Sequence, residues 1–321
     1  MAALALTACF YASPLAAWWV ELLRYLPFPI YLLPALVAVA LSWSLTWAWR
    51  VVSIATVALV LTAVMGFEWH RGDDGGVRMR VMTFNAKAHP GLGVDGFARI
   101  AAEIAAHEPD VLVMQDAAFA GAAALPGSLR AVLGGYQLHL SGQYVVASRY
   151  PLRDCRDLPL RRGAEDSRYV RCELLAHGSA VTLVTAHLAS PRHGLNAARR
   201  EGLEGLDDWN ANLEHRLTQA GTIVRDLANA PRPLILAGDL NAPEHSPVVQ
   251  SLLRLGLRDA FGSAGTGYGY THGHSLRIGF SFLRIDHILV SPQIGVADCF
   301  VGGNTASEHR PVIADLVLPH D

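Results

Sequence analysis

The chain has 321 residues, 51% of them apolar and 17% charged, with 26 basic and 28 acidic side chains and a formal net charge of −2. That composition excludes a disordered or collagen-like chain. Only three of the charges, Glu21, Arg24 and Arg50, fall in residues 1–67, which also excludes a uniformly soluble protein.

Residues 2–20, 25–49 and 51–67 are apolar stretches. About 20 mostly apolar residues cross a bilayer, so three transmembrane helices are predicted, with a tight turn at Arg50. Trp18 and Trp19 close the first stretch, Trp47 and Trp49 the second, and Trp69 follows the third. Indole rings favour the lipid–water boundary. A cleaved signal peptide fits poorly, because no Lys or Arg precedes the first apolar run and apolar sequence continues far beyond it. With the amino terminus inside, three spans place the following domain on the extracytoplasmic side of the cell membrane. The chain therefore divides into an anchor over 1–69, a Gly- and Asp-rich linker over 70–78, and a soluble domain over 79–321.

Beyond residue 77 there are 23 basic and 24 acidic residues. A nonspecific nucleic-acid groove usually carries a basic excess, and none exists here. The four cysteines, Cys9, Cys155, Cys172 and Cys299, form no C-x-x-C pair. They are read as buried free thiols, with a single bridge as the alternative.

In the soluble part Arg80–Phe84 alternates like a strand and runs into Asn85. Residues 95–107 have helical spacing. Asp110–Met114 is a short buried strand followed by Gln115 and Asp116. Tyr144–Ala147 ends at Ser148-Arg149-Tyr150-Pro151. Tyr169–Leu175 and Ala180–Ala186 flank a turn at His177-Gly178, and the second ends in His187. A long helical stretch covers about Leu195 to Asn229. Pro233–Ala237 runs into Gly238-Asp239-Leu240-Asn241. Ile285–Val290 carries Asp286 and His287, and Pro311–Leu318 follows Ser307-Glu308-His309-Arg310. Strands that stop at Asn, Asp or His along one sheet edge can aim those side chains into one pocket. Oxygen donors and imidazoles together suit a hard divalent ion and a phosphate ester.

The motifs Thr83-Phe84-Asn85, Pro109-Asp110 through Gln115-Asp116, Ser148-Arg149-Tyr150-Pro151, Thr185-Ala186-His187-Leu188, Gly238-Asp239-Leu240-Asn241, Ile285-Asp286-His287 and Ser307-Glu308-His309-Arg310-Pro311 occur in this order. In that order they resemble the endonuclease/exonuclease/phosphatase superfamily, whose members are similar to deoxyribonuclease I. The resemblance covers Arg80 to Leu318 and implies an α+β fold. It is a four-layer α/β/β/α sandwich of two mostly antiparallel sheets with outer helices, here preceded by transmembrane helices.

The resemblance further implies metal-dependent hydrolysis of a phosphate ester with Mg2+, or Mn2+ in its place. Asn85, Asp116 and Glu308 fall at the metal positions. Asp116 stands where the family has Glu, and Glu308 where it has Asp, so the two acids are expected to face one metal and compensate in length. Asp239 and Asn241 would orient the nucleophilic water and the phosphate, His187 would stabilise phosphoryl charge, and Asp286 would fix the tautomer of His309. Arg149 is given no catalytic part, and His272 and His274 are left as loop residues near the substrate or in solvent. His287 is placed on the opposite face of its strand from Asp286. The expected partners are a phosphodiester substrate (nucleic acid or a lipid head group, as in the sphingomyelinase branch) and the lipid bilayer, with no obligate protein partner. A catalytically silent membrane scaffold of the same fold is the alternative from another class.

Overall fold

A computed structural model describes residues 2–12, 17–118, 125–160 and 167–319. Four helices open the chain: α1 (Ala2–Ala12), α2 (Trp18–Arg24), α3 (Leu32–Ser42) and α4 (Trp47–Leu59). The last widens into a π turn over Val60–Val64. These boundaries differ from the three predicted stretches. The helical run Trp47–Val64 is long and apolar enough to cross a membrane, and a second candidate arises only if α2 and the Phe28–Ser42 segment, bent by 101°, are counted together. The chain breaks at Trp43–Thr46 rather than at Arg50. Arg50 lies inside α4, and its guanidinium donates back to the Trp43 carbonyl at 2.9 Å. Composition reports how apolar a stretch is, but the breaks depend on local hydrogen bonding that composition does not encode.

The predicted linker is not a free tether. The His70 N–H donates to the Gly265 carbonyl at 3.2 Å and the Asp73 N–H to the Val296 carbonyl at 2.7 Å; just before the linker, Glu68–Trp69 (β1) pairs with Thr266–Gly267 (β11).

The rest is a two-sheet sandwich. One sheet contains β2 (Val77–Asn85), β3 (Val111–Gln115), β4 (Gln137–Ser141), β5 (Tyr144–Ser148), β13 (Gly295–Val301) and β14 (Val312–Leu318), in the order β13-β14-β2-β3-β5-β4. The other contains β6 (Leu152–Pro159), β7 (Arg168–Ala176), β8 (Ser179–His187), β9 (Leu234–Asp239), β10 (Arg258–Asp259) and β12 (Asp286–Val290), in the order β10-β12-β9-β8-β7-β6. Each sheet has one parallel pair, β2 with β3 and β8 with β9. The facing sides of the sheets bury Met79, Val81, Val113, Leu183, Ile235 and Leu316 among others. Each such side chain contributes about 1.5–3 kcal/mol through removal from water.

Helices α5 (Gly93–His107) and α6 (Gly127–Leu133) cover one outer face through Ile100, Ile104, Leu129 and Leu133. Helices α7 (Arg192–Glu201) and α8 (Gly205–Leu227) lie over the other side, where α8 packs Leu213, Ala220, Ile223 and Leu227 against the sheet. The layering is α/β/β/α, as expected. The single helix predicted over 195–229 is two, because Gly202 turns with φ 61°. A Cβ on Gly205 would lie 2.2 Å from the Ala197 carbonyl, so glycine lets the two helices meet. Strands β4, β6 and β13 were not predicted. All three are sheet edges with half-exposed sequence, and an edge strand has less need of an apolar run.

Cys155 and Cys172 form a disulfide between β6 and β7, which corrects the reading of buried free thiols. Spacing could not reveal this pair, because the two strands are brought together by sheet pairing. Cys299 is the buried free thiol, and Cys9 is also free.

Candidate active site

Register in the second sheet builds the centre of the site. His187 on β8 is the pairing partner of Asp239 on the parallel strand β9. Asp239 in turn pairs with Asp286 on the antiparallel strand β12. Laterally paired residues project to the same side of a sheet, so three polar side chains fall in one row. A Cβ on Gly238 would sit 2.0 Å from the Ala186 carbonyl, so glycine is needed for β8 and β9 to approach beside this row.

The first sheet contributes Asn85 at the end of β2. Its Nδ2 donates to Asp239 Oδ2 at 2.7 Å across the two sheets. Asn241, in the left-handed region at φ 49°, donates its backbone N–H to Asp239 Oδ1 at 2.9 Å, and its Nδ2 to the Leu188 carbonyl at 2.9 Å and to Asp239 Oδ2 at 3.3 Å. Asn tolerates that backbone conformation better than most residues. His309 arrives on the segment before β14, and its Nδ1 donates to Asp286 Oδ2 at 3.0 Å. It also lies 3.8 Å from Asp239 Oδ2. His187 Nδ1 donates to Gln143 Oε1 at 2.6 Å, while its Nε2 stands 3.5 Å from Asp239 Oδ2.

Asp239, Asp286 and His309 are each almost fully buried. Burial acts to raise the Asp239 carboxyl, but His309, His187 and the Asn85 amide outweigh it and hold the group below its ordinary value. Burial likewise opposes charge on His309, yet Asp286 and Asp239 raise its imidazole above the usual range. The pocket therefore favours an anionic Asp239 beside a cationic His309.

The predicted site residues do not all converge. Asp116 is bound by the Lys87 ammonium at 2.6 Å. Glu308 is exposed and reaches Arg192 at 3.4 Å. In this structure the two acids, expected to share one metal, each meet a different basic partner. Alternation explains Glu308, because His309 turns inward beside it and the neighbouring residue turns out. Lys87, the chain's one lysine, is the partner of Asp116.

Among the described residues, Asp239, Asp286 and His309 form a group whose ligand atoms all lie within 4.8 Å of one another. The two carboxylates of this group suit a hard divalent ion, which takes few protein ligands and keeps its waters. The donor set therefore fits such an ion.

Sequence reasoning missed Gln143, which fixes His187, and left His272 undecided. The His272 ring lies 4.6 Å from that of His309, and burial, with His309 next, pushes its imidazole down to about 4. His274 is held by Ser281 and the Ser307 carbonyl. His287 is buried away from the row, facing Asp259 at 2.8 Å and the Ala242 carbonyl at 2.9 Å. Arg149 reaches Tyr136 and Asp110, not the site.

A sequence profile of the Endonuclease/Exonuclease/phosphatase family matches residues 82–309. The chain belongs to this family. Its members hydrolyse phosphate esters, and the family uses a divalent metal. A search of curated proteins finds no match.

Solved structures of the family are similar in fold. A family protein from Bacteroides vulgatus is 22% identical, with 75% of this chain and 99% of that one covered and a TM-score of 0.56. A 3'-5' exonuclease from Neisseria meningitidis is 22% identical over 74% of this chain and 100% of that one, with a TM-score of 0.55. A mannosyl-6-phosphatase from Bacteroides thetaiotaomicron is 17% identical over 74% of this chain and 99% of that one, with a TM-score of 0.54.

Proposed function

We propose that the protein is a metal-dependent phosphodiesterase tethered to a membrane. The observation that carries the reading is the convergence of Asp239, Asp286 and His309, with Asn85, Asn241 and His187 around them. Asp239 and Asp286 would hold the divalent ion (Mg2+, or Mn2+ in its place). When bound, the ion neutralises charge on the phosphoryl oxygens. Asp239, kept anionic, accepts a hydrogen bond from an incoming water and orients it. Asn241 holds Asp239 through its backbone N–H and its Nδ2, and the His187 imidazole lies beside the same carboxylate, where the phosphoryl oxygens would gather. Asp286 holds the His309 ring in one orientation, and the cationic ring faces the leaving oxygen.

Membrane attachment is supported by the amino-terminal helices. Leu33, Leu36, Val37, Leu41, Val51, Val52 and Ile54 on α3 and α4 are each more than half exposed, an apolar face that water does not favour. The Cys155–Cys172 disulfide supports a catalytic domain on the oxidising, extracytoplasmic side.

Two substrates are in contention. The exonuclease among the similar folds favours nucleic acid. A lipid head group is favoured by the loop between His272 and Phe282, where Leu276, Ile278 and Phe280 are each at least 40% exposed beside the His272–His309 pair. The full-length chain in detergent with Mg2+ is tested on single- and double-stranded DNA, RNA, sphingomyelin vesicles and bis-p-nitrophenyl phosphate. The hydrolase reading expects turnover that EDTA and Asp239→Asn both abolish. Turnover that survives both would sink it. Phe280→Ser lowers vesicle hydrolysis alone if the substrate is a lipid; nuclease activity without vesicle hydrolysis by the wild type decides for nucleic acid.

A further inference from the structure

Two of the three charges in the amino-terminal region, Glu21 and Arg24, are buried. An unpaired charge facing lipid is costly, and these do not face lipid. Arg24 donates to Glu21 Oε2 at 3.0 Å and to the Phe10 carbonyl at 2.8 Å. Glu21 Oε1 accepts from Ser246 Oγ at 2.6 Å and lies 3.7 Å from Arg216 of α8. Tyr25, just after α2, donates its hydroxyl to the backbone carbonyl of Asn241 at 2.7 Å. Arg216 Nη1 donates to the same hydroxyl at 2.5 Å and to the same carbonyl at 3.3 Å. The Tyr25 ring stands edge-on to Trp209, with centroids 5.6 Å apart.

The residue so pinned is the one held at φ 49° whose amide is aimed at Asp239. A left-handed backbone at a non-glycine residue persists when its surroundings hold it. Here two donors hold it, and one comes from outside the family fold. The residues matched by the family profile begin at 82, so Tyr25 and Glu21 lie upstream of the shared domain.

We propose that the amino-terminal segment is part of the active site. Tyr25 and Arg216, with Glu21 behind them, are positioning residues that hold Asn241 so that its backbone N–H and its amide stay on the Asp239 carboxylate. The inference rests on the hydrolase reading above. It makes turnover depend on the docking of α2, so a shift of the amino-terminal helices is felt at Asn241.

The test uses the full-length chain in detergent with Mg2+ and bis-p-nitrophenyl phosphate. Tyr25→Phe keeps the ring against Trp209 and removes the hydroxyl. Loss of one buried hydrogen bond to the positioned carbonyl is expected to lower kcat about tenfold. KM and the unfolding midpoint should stay near those of the wild type. In an Asn241→Ala background, Tyr25→Phe should change the residual kcat by less than about twofold, because the amide it positions is already gone. A further tenfold loss in that background, or a wild-type kcat for Tyr25→Phe, overturns the proposal. If Tyr25→Phe does not fold, Glu21→Gln carries the same expectation in the same two backgrounds. Asp239-dependent turnover by the wild type with no effect of Tyr25 overturns the positioning role alone. A wild type without turnover overturns both readings.

Discussion

Replacement of Asp259 by Asn tests the buried ion network that supports the active-site loop. Asp259 Oδ2 accepts from Arg284 Nη1 at 2.8 Å and faces His287 Nδ1 at 2.8 Å, while Oδ1 accepts from the Gly262 N–H at 3.0 Å. Arg284 also binds Glu244, and His287 faces the Ala242 carbonyl just past Asn241. An Asn side chain offers one acceptor oxygen where Asp offers two, and its NH2 meets donors. Breaking one partner of a buried ion pair costs about 3–5 kcal/mol, which for a domain of this size lowers the unfolding midpoint by roughly 10 °C.

The pH dependence has a definite sign. Burial acts to raise the Asp259 carboxyl, but Arg284 and then His287 outweigh it and hold it below the ordinary carboxylate value. Its contribution is therefore fully present above the unfolded value of about 3.9 and lost as pH falls through the lower folded value. Thermal unfolding of the full-length wild type and Asp259→Asn in detergent should show a wide gap at pH 7 that narrows below pH 4. Midpoints that agree to within about 2 °C at pH 7, or a gap that does not narrow with acidification, would refute the reasoning.

Other expectations follow from individual contacts. Asp239→Asn should leave the chain folded and lower kcat by about 10²–10⁴-fold; turnover assays alongside circular dichroism check this. Gly238→Ala places a methyl group 2.0 Å from the Ala186 carbonyl, so β8 and β9 must separate. A stability loss of about 1–3 kcal/mol should come with a fall in activity, read by denaturant titration and kinetics. The Cys155–Cys172 bridge spans 17 residues, and reducing it should cost roughly 3 kcal/mol. Equal midpoints with and without dithiothreitol would contradict that.

Much of the site was legible in the sequence because it is written at strand ends. His187, Asp239 and Asn85 each close an apolar run, and the run itself announces the strand. Register then carries those residues to one row, as the pairing of His187 with Asp239 and of Asp239 with Asp286 illustrates. The partners of Asp116 and Glu308 were not legible, because they are distant in sequence. Lys87 is 29 residues from Asp116, and Arg192 is 116 residues from Glu308.

The sandwich was implied by the resemblance to the family; by itself, the sequence determined the strand-ending motifs and the uneven spread of apolar and charged residues. These are properties of local runs, and periodicity and composition report them. Only the tertiary structure decided that Cys155 and Cys172 are bonded, that the helices break at Trp43–Thr46, and that Glu21 and Tyr25 turn away from an apolar exterior toward Asn241. Tyr25 and Asn241 are 216 residues apart. Contacts at that separation form only when packing closes the chain, and no local pattern encodes which buried polar groups will meet.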